Sequence, residues 1–342
     1  MPGKRLRRDQ RNQFQFQKDL EDVRSRLANP CKQHVISGAL LVVFYVVLAA
    51  PGTYAQVTMR PMSADASDLT VLKQVREVNL AFTVTDRRGR LVNNLTQSEL
   101  VVLDNDQRAA QLTYFESRTN LALRLALVMD TSDSEAYCFN SERKMAATFL
   151  KRNLRPDRDR AVIIAFNETA RVVQFPTSDL SLLTRSLKDI HVGGETAIYD
   201  AVATASQELA SIPDRQPARR VIVLITDGED NRSHITAKQA ADLALKNEVA
   251  VYVISTNSPP FSYVGQEGDS AMKQLANDTG GTFLTTRGDV EKAFFKIEKQ
   301  LRSQYIIGYK PPDTTPDGRF HRLTIVGPSS LRFFHRTGYF AK

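Results

Sequence analysis

The chain has 342 residues, 42% hydrophobic and 25% charged, a composition that supports one large folded domain or two modest ones. The formal net charge is +8, but residues 1–34 hold nine Lys/Arg against four Asp/Glu, a surplus of five, which leaves +3 for the other 308 residues. No basic stripe with interleaved aromatics follows, which argues against a nucleic-acid partner.

Residues 1–34 read as a basic cytoplasmic head. After them comes VISGALLVVFYVVLAA (35–50), sixteen residues without a charge, and then PGTYAQ. This layout predicts a signal peptide over 35–55, cleaved after Ala55, or a signal anchor that would associate residues 35–50 with a membrane. A buried core helix is the bland alternative. Either export reading places residues 56–342 outside the cytoplasm, in the periplasm, at the cell surface or secreted. Cys31 would then be separated from Cys138 by the membrane, with no disulfide between them, and Cys138 is expected to be a small packed residue.

Residues 56–74 are polar and weakly patterned, as in a linker. Over 75–119 the apolar period is two: VREVNLAFTVTD, a turn at RRGR, LVNNL, ELVVLDNDQ and AAQLTYFES predict short strands of half a β-sandwich. From 120 to 304 strands alternate with helices. LALRLALVMD (121–130) and VIVLITD (221–227) are near-continuous apolar runs, as expected of strands covered on both faces. SERKMAATFLKRNL (141–154), AIYDAVATASQELASI (197–212), TAKQAADLALKNE (236–248), DSAMKQLAND (269–278) and VEKAFFKIEKQLRSQ (290–304) read as helices, and RVVQFP as an edge strand. The fold expected is α/β, a doubly wound, mostly parallel Rossmann-like sheet. Over 305–342, QYIIGYKPP, RFHRLTIVG and LRFFHRTGYF return to β. These flanks have no helices to pack on. They are expected either to form one sandwich from both ends of the chain or to remain two separate β flanks.

In an open parallel sheet, ligands bind at the carboxyl ends of the strands near the topological switch point. Two apolar strands here end in acid. One runs into Asp130-Thr131-Ser132-Asp133-Ser134, the other into Asp227-Gly228. Between them lies VGGETAIYDA (192–201), a glycine-rich loop that enters a helix with Thr196 near its start. Together they offer hard oxygen ligands, suited to Mg2+, Mn2+ or Ca2+ and poor for zinc or copper. Each piece alone has a bland explanation as a cap or turn. A cation held partly by neutral hydroxyls stays under-neutralised and would attract a carboxylate from another molecule.

Asp130-x-Ser132-x-Ser134, a later Gly193-Gly194-x-Thr196 before a helix, and Thr226-Asp227-Gly228 after a strand resemble the metal-ion-dependent adhesion site of von Willebrand factor A domains. With VTDRRGRLVNNLTQSELVVLDNDQ before it and SQYIIGYKPP, DGRFHRLTI and RTGYF after it, the chain is similar to the acidobacterial von Willebrand factor A-related exported proteins. The resemblance implies that Ser132 and Ser134 ligate the metal directly, and that Thr196 does so when a partner is bound. Asp130 and Asp227 would act largely through bound water. The chain departs from the family at Asp133, where a small residue is usual, and at Glu135. Glu135, Glu195, Glu229 and Asp230 are expected to add negative charge near the rim.

None of the five histidines has a metal-ligand spacing, and no GxSxG elbow, Walker A loop or GxGxxG appears, so no catalytic residues are expected. The expected function is an exported, metal-dependent protein-binding module for adhesion or assembly, with an unidentified protein ligand. The alternatives are a structural cell-envelope component with a silent metal site and, third, a metal-dependent hydrolase.

Overall fold

The computed structural model describes residues 77–117, 121–213, 218–257, 263–286 and 289–341. The expected basic head, signal segment and linker lie outside the described residues. Among the described residues, no helix is long and apolar enough to cross a membrane.

The centre of the molecule is a six-stranded sheet built from β5 (Ala122–Asp130), β6 (Arg160–Phe166), β7 (Ala170–Thr177), β8 (Ala218–Thr226), β9 (Val249–Ser255) and β10 (Phe283–Thr285), in the order β10-β9-β8-β5-β6-β7. The pairs are parallel except for the antiparallel edge strand β7. Successive side chains of a strand point to opposite faces. Accordingly Leu123, Leu125, Leu127 and Met129 of β5 enter one core, and Ala126 and Val128 enter the other. The first core is closed by α1 (Phe139–Asn153), α2 (Leu180–Lys188) and α6 (Val290–Arg302), through Phe149, Leu183 and Phe294 among others. The second is closed by α3 (Ile198–Ser211), α4 (Ala237–Lys246) and α5 (Tyr263–Thr279), through Val202, Ala244 and Met272. Two-sided cover explains why β5 and β8 read as unbroken apolar runs.

The strands from both ends of the chain fold together. One antiparallel sheet has the order β13-β1-β11-β4, from β13 (Leu331–His335), β1 (Val78–Asp86), β11 (Tyr305–Lys310) and β4 (Gln111–Ser117). The other has the order β14-β12-β2-β3, from β14 (Gly338–Phe340), β12 (Phe320–Val326), β2 (Val101–Asp104) and β3 (Gln107–Arg108). Leu80, Phe82, Val102, Ile307 and Leu323 share one core. The two flanks are therefore one sandwich, with the α/β unit inserted between its halves.

Several elements differ from the sequence expectation. ELVVLDNDQ is divided by Asn105 and Asp106, both in the left-handed region at φ 47° and 63°, which turn the chain from β2 into β3. LVNNL contributes only a single bridge, Leu91 to Thr85. LRFFHRTGYF is two strands in different sheets. Between them Arg336 is buried, donating to the Asn79 carbonyl, and Thr337 donates its backbone N–H to the Asp278 carbonyl. The helix expected from Ser141 starts at Phe139, because a 3-10 turn over Asp133–Tyr137 feeds directly into it.

Candidate metal centre

The chain leaves β5 to form β6 on one side of it and later β8 on the other, so the carboxyl ends of β5 and β8 flank the switch point of the sheet. Asp130 is the last residue of β5 and is 1% exposed. Its Oδ1 accepts the backbone N–H of Ser132 at 2.9 Å, and its Oδ2 accepts the hydroxyl of Thr226 at 2.6 Å. Asp227 directly follows β8 and accepts the backbone N–H of Glu229 at 3.2 Å. Ser132 is buried, Ser134 is exposed, and their hydroxyls are 3.1 Å apart.

The Gly193–Gly194 loop is laced to the β5 loop. Gly193 donates its N–H to the Thr131 carbonyl at 2.7 Å, and Asp133 donates to the Gly194 carbonyl at 3.0 Å. Gly194 has φ 98°, a left-handed conformation that favours glycine. Thr196 is buried next to this loop. Its N–H donates to the Asn231 side chain at 3.0 Å, and its carbonyl accepts the N–H groups of Asn231 and Arg232. The three loops therefore converge as expected. Among the described residues no direct side-chain bond joins Thr196 to Asp130 or to the serines, so its link to them runs through the loop backbone.

Glu135 does not sit on the rim. It is 2% exposed, whereas Tyr137, two residues on, is 98% exposed. A 3-10 turn has three residues per turn, so positions three apart lie on one side. Ser132 and Glu135 both face inward, and Asp133 faces out. One carboxylate oxygen from each of Asp130, Glu135 and Asp227 lies within 4.8 Å of the others. The Thr256 hydroxyl, just beyond β9, donates to Glu135 Oε1. Behind it, Glu142 in the first turn of α1 is fully buried; among the described residues no N–H or hydroxyl reaches its carboxylate oxygens, and its carboxyl lies against that of Glu135.

Asp230 also differs from the expectation. It caps α3, accepting the N–H of Ile198 at 2.7 Å. Glu195 is half exposed and pairs with Arg232. The histidines near the loops are surface residues: His191 is exposed, and His234, also exposed, contacts Asp200 at 2.7 Å.

Burial pushes the Asp130 carboxyl up to about 6, against the pull of the Thr226 and Ser132 hydrogen bonds. Burial also raises Glu135 and Glu142, and the charge of Glu142 raises Glu135 further. Holding several carboxylates ionised in so dry a site is costly unless a cation neutralises them. The donor set fits a hard divalent cation: carboxylates and hydroxyls, with the buried Glu142 carboxyl beside them. Thr226, Thr256, Glu135 and Glu142 were not among the expected site residues.

Residues 125–229 match the family model of the von Willebrand factor type A domain. An uncharacterized protein of Borreliella burgdorferi is 26% identical over 194 residues, 50% of this chain and 55% of that protein. The 67 kDa subunit of the magnesium chelatase of Heliobacterium mobile is 28% identical over 146 residues, 42% of this chain and 21% of the subunit. The chain thus spans about half the length of the first of these relatives and about a fifth of the second. An aerotolerance-related membrane protein from Bacteroides fragilis superposes with a TM-score of 0.44 at 19% identity, over 52% of this chain and 98% of that one. The proximal thread matrix protein 1 of the mussel byssus, with a zinc-occupied MIDAS motif, superposes with a TM-score of 0.45 at 18% identity, over 58% and 49%. By the family match over residues 125–229 and its doubly wound sheet, the α/β part of this chain has the von Willebrand factor type A fold.

Proposed function

We propose that the chain is an exported module that binds a protein partner through a divalent cation, Mg2+ or alternatively Mn2+ or Ca2+, held at the carboxyl ends of β5 and β8. The observation that carries this reading is the convergence of carboxylate oxygens from Asp130, Glu135 and Asp227 within 4.8 Å, beside the paired hydroxyls of Ser132 and Ser134. In this reading Ser132 and Ser134 ligate the ion, Asp130 and Asp227 orient its shell, and Thr196 joins when a partner is bound. The ion supplies an open coordination position for a partner oxygen. Export rests on the basic head and apolar run of residues 1–55, which support an extracytoplasmic location.

Binding without chemistry is the simpler use of this site. In this reading the serines serve as ligands of the ion, and among the described residues no histidine makes a hydrogen bond to them. Calorimetric titration of Mg2+ and Mn2+ into chelator-treated protein tests the proposal, with Asp130→Ala as control. One-to-one binding that disappears in the variant is the expected result. If neither protein binds metal, the centre is silent and the structural-component reading replaces this one.

A further inference from the structure

We propose that Glu135 is an in-chain anionic ligand of the cation, backed by Glu142, so that the loaded centre stays negative and takes its partner through a basic surface rather than through a partner carboxylate. This rests on reading the centre as a divalent-cation site and goes beyond it by naming the class of partner.

The position of Glu135 sets the argument. It directly follows the Asp-x-Ser-x-Ser run in a loop open to solvent, where a glutamate would ordinarily project into water. Instead, the 3-10 turn places it on the side of Ser132, and the Thr256 hydroxyl fixes its Oε1. Its other neighbours are Asp130 and Asp227, both acids. Three carboxyls that each bring one oxygen within 4.8 Å of the others make a cradle that fits a divalent cation.

Glu142 supplies a second, independent observation. It is fully buried, no N–H or hydroxyl reaches either of its oxygens among the described residues, and its carboxyl lies against that of Glu135. It therefore adds a fourth acid to the three that converge.

The charge balance decides the partner. With Asp130 and Asp227 alone, a divalent ion would make a neutral centre, and an incoming carboxylate would meet no net repulsion. With Glu135 ionised at the ion, the same centre carries a net negative charge before any partner arrives, and Glu142 can only add to it. The carboxylate that a partner would bring is already supplied by the chain. The surround has the same sign. Asp133 and Glu168 are exposed, and Glu195 is half exposed, with Arg232 as its counter-charge. A basic partner surface complements such a rim, and an acidic one is repelled.

The test uses the chelator-treated full chain, with Mn2+ as the metal and acetate as the carboxylate probe. Affinity is read by calorimetry, and bound water by proton relaxation of the Mn2+ complex. We expect Glu135→Gln to weaken Mn2+ at least tenfold. We also expect acetate to displace water from the Glu135→Gln complex and leave the wild-type complex unchanged. Wild-type affinity in Glu135→Gln, or water displacement by acetate in the wild type, overturns the proposal while leaving the cation site intact. Failure of the wild type and Asp130→Ala alike to bind metal is a different result, which removes the cation reading itself. Metal-free Glu135→Gln is expected to melt at or above the wild type, because glutamine keeps the shape of the side chain and an acceptor for Thr256 without a carboxyl to desolvate. Should it not fold, Glu142→Gln takes its place, with weaker Mn2+ binding expected and unchanged binding overturning the proposal. The wild-type acetate measurement needs no variant.

Discussion

Thr226 Oγ1 donates a 2.6 Å hydrogen bond to Asp130 Oδ2, joining the last residue of β8 to the last residue of β5. The other carboxylate oxygen of Asp130 accepts the Ser132 N–H. Both oxygens are thereby aimed, and the two strand ends that carry the acids are held in register. Groups that orient a metal's ligands commonly matter by 10–100-fold in affinity. Thr226→Val keeps the shape and removes the donor, so Mg2+ binding should weaken by at least about tenfold. Thr226→Ser should retain most of it. Equal affinities for all three proteins in calorimetry would show that the bond orients nothing.

The raised Asp130 carboxyl gives the metal-free protein a distinctive pH dependence. Its ordinary value is 3.8, and in the fold it is pushed up to about 6 by burial. Between those values the folded state holds the proton more tightly than the unfolded chain. Stability therefore falls as pH rises from about 4 through about 6, and the penalty is complete above that. The difference is worth on the order of 3 kcal/mol, and the burial of Glu135 and Glu142 acts in the same direction. Metal binding needs the ionised form, so the gain in melting temperature from Mg2+ should be largest above pH 6 and fade as pH falls through it. Thermal melts at pH 5 and pH 7, with chelator and with Mg2+, check both signs. Asp130→Asn should flatten the metal-free slope.

The acids at the strand ends were legible because each terminates a continuous apolar run, a pattern produced by a strand covered on two faces. The lacing of the three loops was legible only as topology. Glu135 was not, because a glutamate among Asp, Ser and Thr looks like one more solvated loop residue. The 3-10 turn that rotates it inward leaves no hydrophobic period to read. Glu142 reads as an ordinary first-turn acid of a helix, and Thr226 hides inside an apolar strand. In the sandwich, LRFFHRTGYF keeps its apolar character across the crossover at Arg336 and Thr337. Nothing local marks the change of sheet, which depends on the partners Asn79 and Asp278 elsewhere in the chain.

The sandwich has its own buried polar knot. Asp104 Oδ2 accepts hydroxyls from Tyr309 at 2.9 Å and Tyr339 at 2.8 Å, and its Oδ1 meets His321 Nδ1 at 3.1 Å. Tyr309 belongs to the sheet of β11, whereas Asp104, His321 and Tyr339 belong to the other, so the knot ties the two sheets across their core. A buried hydrogen bond to a charged group contributes about 1.5–3 kcal/mol. Tyr309→Phe should lower stability by roughly that amount in chemical denaturation, and Tyr339→Phe by somewhat less, since Tyr339 is only half buried. The double variant should show non-additivity, because both hydroxyls share one acceptor oxygen. Mg2+ affinity should be unchanged in all three, and a loss there would mean that the sandwich and the metal centre are coupled.

Gly228 and Gly268 test how closely the site loop depends on the helix behind it. Gly228 follows Asp227 with φ 87°, and a Cβ on Gly268 of α5 would lie 2.2 Å from the Gly228 carbonyl oxygen. Real Cβ atoms do not approach backbone so closely, so Gly268→Ala must displace either α5 or the loop that carries Asp227. Alanine is otherwise the better helix former, by about 1 kcal/mol, so a stabilising effect is expected if the helix alone matters. The steric clash should dominate: the melting temperature should fall, and Mg2+ affinity should fall with it, because the displaced loop holds a carboxylate of the centre. Loss of stability with full metal affinity would show that α5 yields and the loop does not. A more stable variant with unchanged affinity would mean that the close approach is not maintained in solution.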